Sequence, residues 1–248
     1  MPGIPFQNNM VEHSRSQAVQ FFKKYCREHA SELKDKEVYD LSAGSGFIIH
    51  LFHEAGATIH PFDMHPAQNN QATVPSQHID LQKDFPIASG LADVVVCAET
   101  IEHLPNQLFF FQEVTRILKP GGILLLTTPN HSSLRGRLSY FLMESEHYSV
   151  PPPNKVTFKV KFDSGNEYVN RVFLIGIQRL QTLASVNHLS IFKIHKSKGS
   201  FLSWLLLLTY PLIWCRHWIT YRKASGKNPE SKIAFHESFK LNTSLDVC

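Results

Sequence analysis

Two acids and two glycines near the start of the chain have the types and spacing to hold a nucleoside-like cation. Asp40 is followed by Gly44 and Gly46, and Asp63 lies 23 residues after Asp40. Glycines this close together let the backbone turn tightly and leave one side open to a ligand. An acid beside such a turn repels phosphate and favours positive charge, and an acid at the Asp63 spacing suits the paired hydroxyls of a ribose. A dinucleotide fingerprint would continue with a third glycine, so that amides at a helix start meet a pyrophosphate; that position is Ile49. Further along, Glu99-Thr100-Ile101-Glu102-His103 sets two acids and an imidazole within one short loop.

These residues need a scaffold, and the hydrophobic pattern supplies one. Val38 and Tyr39 lead as a strand into Asp40. Phe47 to Ala55 reads as a helix with Phe47, Ile48, Leu51 and Ala55 on one face, Gly56 ends it, and Ala57 to Phe62 form the next strand. Val94 to Ala98 is a buried strand that delivers the Glu99–His103 loop. An amphipathic helix follows, with Leu108, Phe111, Val114 and Leu118 on one face, then a Pro120-Gly121-Gly122 turn and a second buried strand, Ile123 to Thr127. Alternating helices and strands predict a mostly parallel α/β sheet.

Both blocks, VYDLSAGSGFIIHLFHEAGATIHPFD and ADVVVCAETIEHLPNQLFFFQEVTRILKPGGILLLTTPN, resemble the class I S-adenosylmethionine-dependent methyltransferases (type 11/23-like). They stand in that family's order, an acidic loop after the fourth strand and a helix ending in LKPGG before the fifth. The resemblance covers about Val38 to His195. It implies a Rossmann-like, seven-stranded, mostly parallel sheet flanked by helices, and S-adenosyl-L-methionine as cofactor. In the family, the first-strand acid and the glycine turn hold the methionine part, which implies Asp40, Ser42, Ala43, Gly44 and Gly46. The second-strand acid binds the ribose, implying Asp63, with Met64 against the adenine. An acid after the third strand meets the adenine amino group; Asp80 is the best match, with Leu81 beside it. Ser42 departs from the family's commonest residue there, glycine, but is small enough to keep the turn.

The resemblance also implies that Glu99 sits near the cofactor's methionine end, and that Glu102 and His103 face the acceptor. The E-x-x-E-H pattern is similar to methyltransferases of ubiquinone precursors and of small-RNA 3′ ends, some of which hold a divalent metal with a later histidine. Aligning YVNRVFLI on Phe173 puts Arg171 at that histidine's position, and a guanidinium cannot ligate a metal. The expectation is therefore no metal, with Arg171 neutralising Glu99 or Glu102, and with His103 and Glu102 activating the acceptor. Imidazole titrates near neutral pH and can take a hydroxyl proton during transfer; the alternative is a structural His103 bonded to Glu102. His131, Arg135 and Arg137 lie where an acceptor lid, about 131–170, is expected. A helix is predicted over Ser132–Glu146, another over Asn166–Val186, and a strand over Leu189–His195. The tract from Thr127 to Asn154 with NRVFLIGIQRLQTLA resembles a bacterial subgroup linked with envelope glycan or lipid biosynthesis, so the expected reaction is methyl transfer to oxygen on a small-molecule, glycan or lipid acceptor. Two rivals are a non-catalytic, membrane-docked scaffold and, less well matched because of Ile49 and Asp40, a nicotinamide-dependent oxidoreductase.

The rest of the chain divides by composition. Residues 1–36 form an N-terminal helical region (helix about Ser14 to Leu33), 37–199 the cofactor domain, 200–223 a hydrophobic aromatic segment, and 224–248 a polar, flexible tail. Eight Lys or Arg against three acids fall in 196–248, so the chain's net charge of +4 belongs to this end. The core has no basic groove with interleaved aromatics, so no nucleic acid is expected. Four scattered cysteines without a C-x-x-C pair suggest a reducing, cytoplasmic setting. Phe201 to Cys215 is uncharged but shorter than the roughly 20 apolar residues of a spanning helix. Its tryptophans, tyrosines and basic flank suit contact with the inner membrane surface through 201–221. Packing in the fold, a homodimer contact and a true span are the open alternatives.

Overall fold

The computed structural model describes residues 17–66, 74–145, 153–155, 158–161, 167–195, 211–212, 214–216 and 218–219. The chain divides into two compact units, one of residues 1–128 and 161–168, the other of 129–160 and 169–248.

In the first unit, α1 (Gln17–Glu28) buries Val19, Phe22 and Cys26 along one helical stripe, and the short α2 (Ala30–Leu33) buries Leu33. The helix expected from Ser14 to Leu33 is thus two helices, with residues 14–16 outside the described residues. Phe22, Cys26 and Leu33 share one apolar core with Val38, Ile49, Phe52, Ile59 and Val96, so the N-terminal helices close one face of the sheet. At about 25 cal/mol per Å² of apolar surface removed from water, such burial is the main force holding that layer.

The sheet has five parallel strands in the order β3-β2-β1-β4-β5: β1 (Glu37–Asp40), β2 (Thr58–Asp63), β3 (Gln77–His78), β4 (Ala92–Ala98) and β5 (Leu118–Thr127). Val94, Val95, Val96 and Cys97 are all buried, as expected of a parallel strand covered on both faces. α3 (Phe47–Glu54) joins β1 to β2 and buries Ile48, Ile49 and Phe52, with Leu51 and Ala55 partly buried. The expected face is therefore rotated toward Ile49 and Phe52. α4 (Gln107–Ile117) likewise buries Phe110, Phe111, Val114 and Ile117 and leaves Leu108 43% exposed. Leu118 already belongs to β5, which runs through the expected Pro-Gly-Gly turn with an irregularity opposite Ala92 and Val94. Strand order reverses between β1 and β4, and ligands of open parallel sheets bind beyond the strand C-termini at that point. Asp40, Asp63 and Glu99 all lie at that edge.

The expected seven-stranded sheet is not what forms among the described residues. β6 (Lys159–Lys161) and β7 (Glu167–Val169) make a separate two-stranded sheet. Residues 189–195 form no strand, and Phe192 there is 71% exposed. No described strand offers them a ladder partner, and an unpaired strand is not stable alone. The helix expected over Asn166–Val186 shrinks to α6 (Ile177–Val186), which starts at the extended N-cap Gly176. In the second unit, α5 (Leu134–Met143) replaces the longer Ser132–Glu146 expectation; the Ser133 side chain accepts the Gly136 amide at its start and Glu144 ends it in the left-handed region. Residues 196–210 and 220–248 lie outside the described residues.

Candidate active site

At the end of β1 the chain buries an acid. Asp40 is 1% exposed; Oδ1 accepts the Ser42 amide at 3.0 Å, and buried Oδ2 has no hydrogen-bond partner. Burial pushes the carboxyl up to about 7; the nearby Asp63 charge adds to this, while bonds from Ser42 oppose it. An unmatched carboxylate oxygen in the interior is costly unless a cation or donor meets it. The residue therefore fits the charge of a cationic ligand, as the first-strand acid is expected to do.

The turn that follows is tied to its neighbours on both sides. Gly44 and Gly46 have φ +50° and +83°, in the left-handed region where a side chain is strained. The Gly44 amide donates to Asp63 Oδ2 at 2.8 Å, and the Ala43 amide to the Phe62 carbonyl at 3.0 Å. Toward β4, the Ser42 hydroxyl accepts the Ala98 amide at 2.7 Å. The serine that departs from the family pattern is thus a brace between two strand ends, a role that a glycine there would lack.

Asp63 and Asp80 are brought to one region by β2 and β3. Asp63 Oδ1 accepts the His65 amide at 2.8 Å, and the Asp63 carbonyl accepts the Ile79 amide at 3.0 Å. Met64 is 45% exposed beside it, and its carbonyl meets His78 Nδ1 at 3.0 Å. Asp80 accepts the Gln82 amide at 3.0 Å and lies 3.2 Å from Lys83 Nζ, while Leu81 is buried. Nothing in the sequence pattern marks Lys83. It sits three residues after Asp80, within reach on one turn.

The acidic loop is fastened to the end of β5. Glu99 has φ +49°, uncommon for a residue with a side chain, and its amide donates to the Thr127 carbonyl at 3.0 Å and hydroxyl at 3.2 Å. Such backbone strain is retained where the surroundings over-determine it. A 3₁₀ turn, Ile101–His103, then separates Glu102 from His103. Glu102, expected to face the acceptor, is fully buried, and its Oε2 accepts the Thr128 hydroxyl at 3.0 Å. Ile101 and Glu102 are buried, while Glu99 and His103 are each half-buried. Thr127 and Thr128 anchor this loop, and the only sign of them in the sequence is the Thr-Thr-Pro at the strand end.

Among the described residues, no group of three His, Cys, Asp or Glu side chains is placed to hold a metal ion. Within the second unit, the Arg171 charge falls on His131. Burial first and Arg171 second lower the His131 imidazole to about 4, so it is neutral near pH 7. Ser132 accepts the Ile177 amide at 2.9 Å, fastening the start of α6 to the turn before α5.

Residues 11–157 match the family described as a methyltransferase domain. The ubiquinone biosynthesis O-methyltransferase of Histophilus somni (strain 2336) is 29% identical over 122 residues, covering 44% of this chain and 51% of that protein. Its counterpart from Psychrobacter arcticus (strain DSM 17307 / VKM B-2377 / 273-4) is 30% identical over 111 residues, covering 40% and 43%. The chain spans about half the length of these curated relatives. Among solved structures, the PH0226 protein from Pyrococcus horikoshii OT3 matches with TM-score 0.46 and 19% identity over 74% of this chain and 90% of that one. An S-adenosylmethionine-dependent methyltransferase from Mesorhizobium loti matches with TM-score 0.40 and 16% identity over 60% and 64%.

Proposed function

The chain belongs to the methyltransferase domain family, whose match spans more than half of it, and S-adenosylmethionine is its cofactor; from that premise we propose that it methylates an oxygen acceptor. The observation that carries the reading is the buried Asp40 oxygen without a partner, beside a glycine turn held open by Asp63. It favours a cationic ligand without phosphate, as the donor is.

When bound, the cofactor supplies a methyl group on sulfonium sulfur; transfer to a hydroxyl breaks that S–C bond, forms an O–C bond and releases the hydroxyl proton. Asp40 and the turn from Ser42 to Gly46 would hold the amino-acid end, Asp63 the ribose, and Met64, Asp80 and Leu81 the adenine. Because the methyl group is already activated, the protein's task is to align the two partners and exclude water. His103 is the residue we assign to accept the acceptor's proton, a contribution of roughly 10²–10⁴-fold for a positioned base. Glu102 acts through the loop, clamped on Thr128, and so positions His103 rather than touching the acceptor.

The acceptor class is read from similarity. The similar proteins are O-methyltransferases of ubiquinone biosynthesis, which supports a phenol-like hydroxyl on an apolar molecule; an envelope lipid or glycan hydroxyl is the other acceptor of the same class. The test is titration with S-adenosylmethionine, S-adenosylhomocysteine and NAD, followed by methyl-transfer assays on polyprenylated phenols and on envelope lipid extracts. Micromolar binding of the first two, with label appearing on oxygen, is the expected result. Binding of NAD alone would overturn the cofactor, and cofactor binding without turnover on any acceptor would leave a scaffold.

A further inference from the structure

The C-terminal helical residues leave apolar surface in water. Residues 211, 212, 214–216, 218 and 219 are helical, and every one of them is exposed. Leu212 is 75% exposed, Trp214 46%, Trp218 40% and Ile219 37%. Trp214 and Trp218 stand one turn apart with rings stacked, 6.4 Å between centroids and 15° between planes. A helix that leaves bulky apolar side chains exposed gains stability when something apolar covers them. Short helices are marginal in water, where packing of a face supplies most of their stability.

We propose that this aromatic ridge docks on the surface of a bilayer containing anionic lipid. Charge chooses that occupant. Arg216 is exposed on the same helical stretch, Arg222 and Lys223 follow in the sequence, and 196–223 contains no acid at all. A two-fold contact between copies would bring these like charges to a self-complementary patch, which opposes association. An anionic surface attracts them, at about 1 kcal/mol per basic residue near the headgroups. Tryptophan is enriched at headgroup level because its ring is apolar and its N–H polar. The uncharged run of 15 residues, Phe201 to Cys215, is short for a span, and no described helix is long and apolar enough to cross a membrane. Lying in the interface satisfies both facts. The same unit exposes a second apolar run at the end of α5, where Tyr140, Phe141, Leu142 and Met143 are 55%, 81%, 58% and 47% exposed.

The inference does not depend on the methyltransferase reading, because its readout is binding alone. The full chain is floated with vesicles of phosphatidylcholine, and with vesicles in which about a third of the lipid is phosphatidylglycerol. The expected result is co-flotation with the anionic vesicles, weakened at high salt, and little with the neutral ones. W214A/W218A should lower the bound fraction roughly tenfold or more, since two interfacial anchors are lost, while R216E/R222E/K223E should abolish the preference for anionic lipid. Unchanged circular dichroism and melting of both variants confirm that they fold. Failure to float with either vesicle would overturn the proposal. So would a dimer in light scattering that W214A/W218A dissociates, because the ridge would then pack on a second copy.

Discussion

The Gly44 amide donates to Asp63 Oδ2 at 2.8 Å, so the turn after β1 and the acid ending β2 are closed on each other. One carboxylate thus shapes the turn and occupies the place assigned to the ribose contact. Asp63→Ala should weaken S-adenosylhomocysteine binding by about 2–3 kcal/mol, the scale of hydrogen bonds to a charged group, and also lower thermal stability. Calorimetric titration beside a melting curve checks both; a loss of stability with unchanged affinity would make Asp63 purely structural.

Asp40 links the site to pH. Its carboxyl titrates near 7 when folded, against 3.8 as the ordinary value. Between these values the folded state keeps a proton that the unfolded chain has released. Ligand-free stability from this group therefore falls as pH rises from about 4 to 7, by about 1.4 kcal/mol per unit, and levels above. Asp40→Asn should remove that slope and be the more stable protein at pH 8, as urea midpoints at several pH values would show. Affinity for the cationic cofactor should run the other way, weakening about tenfold per unit below pH 7 in the native protein and staying flat and weak in the variant.

Ser42 braces the turn through the Ala98 amide. Ser42→Ala removes the acceptor and should cost about 1–2 kcal/mol of unfolding free energy. Ser42→Gly should cost slightly more, through added backbone freedom in the unfolded chain. A glycine variant as stable as the native protein in urea denaturation would show that the brace contributes nothing.

His103 and Glu102 should separate in their effects. His103→Ala should lower turnover roughly 10²-fold or more with cofactor affinity nearly intact. Glu102→Ala leaves the Thr128 hydroxyl without its buried acceptor and should lower the melting temperature together with turnover. Equal kinetic losses with no change in melting for Glu102→Ala would return it to direct acceptor contact.

Arg171→Ala should raise the His131 pKa from about 4, but only part of the way to 6.5, because burial is the larger cause and remains. An NMR titration of the imidazole resonances measures it. No movement would mean that the guanidinium charge does not reach the ring.

The local order of β1, turn, α3 and β2 was legible because short-range pattern controls it: apolar runs of strand length, glycines where φ must be positive, and an acid at each strand end. The same holds for β4, α4 and β5. What sequence could not reveal was which partner each polar group takes across the sheet. Ser42 meets Ala98, Gly44 meets Asp63, and Glu102 meets Thr128, pairs 56, 19 and 26 residues apart. Parallel register alone brings them together. The buried faces of α3 and α4 also differ in phase from the sequence pattern, since periodicity leaves the choice among adjacent apolar residues to packing. The strand expected at 189–195 failed for a related reason: alternation marks a residue's capacity for pairing, but a strand exists only where another edge accepts it. The sequence by itself thus implied the cofactor class, through the resemblance of the Val38–Asp63 and Ala92–Asn130 blocks, in that order, to a methyltransferase family. Tertiary structure decided which acid is buried and which imidazole is left accessible, because desolvation depends on neighbours that only the fold assembles.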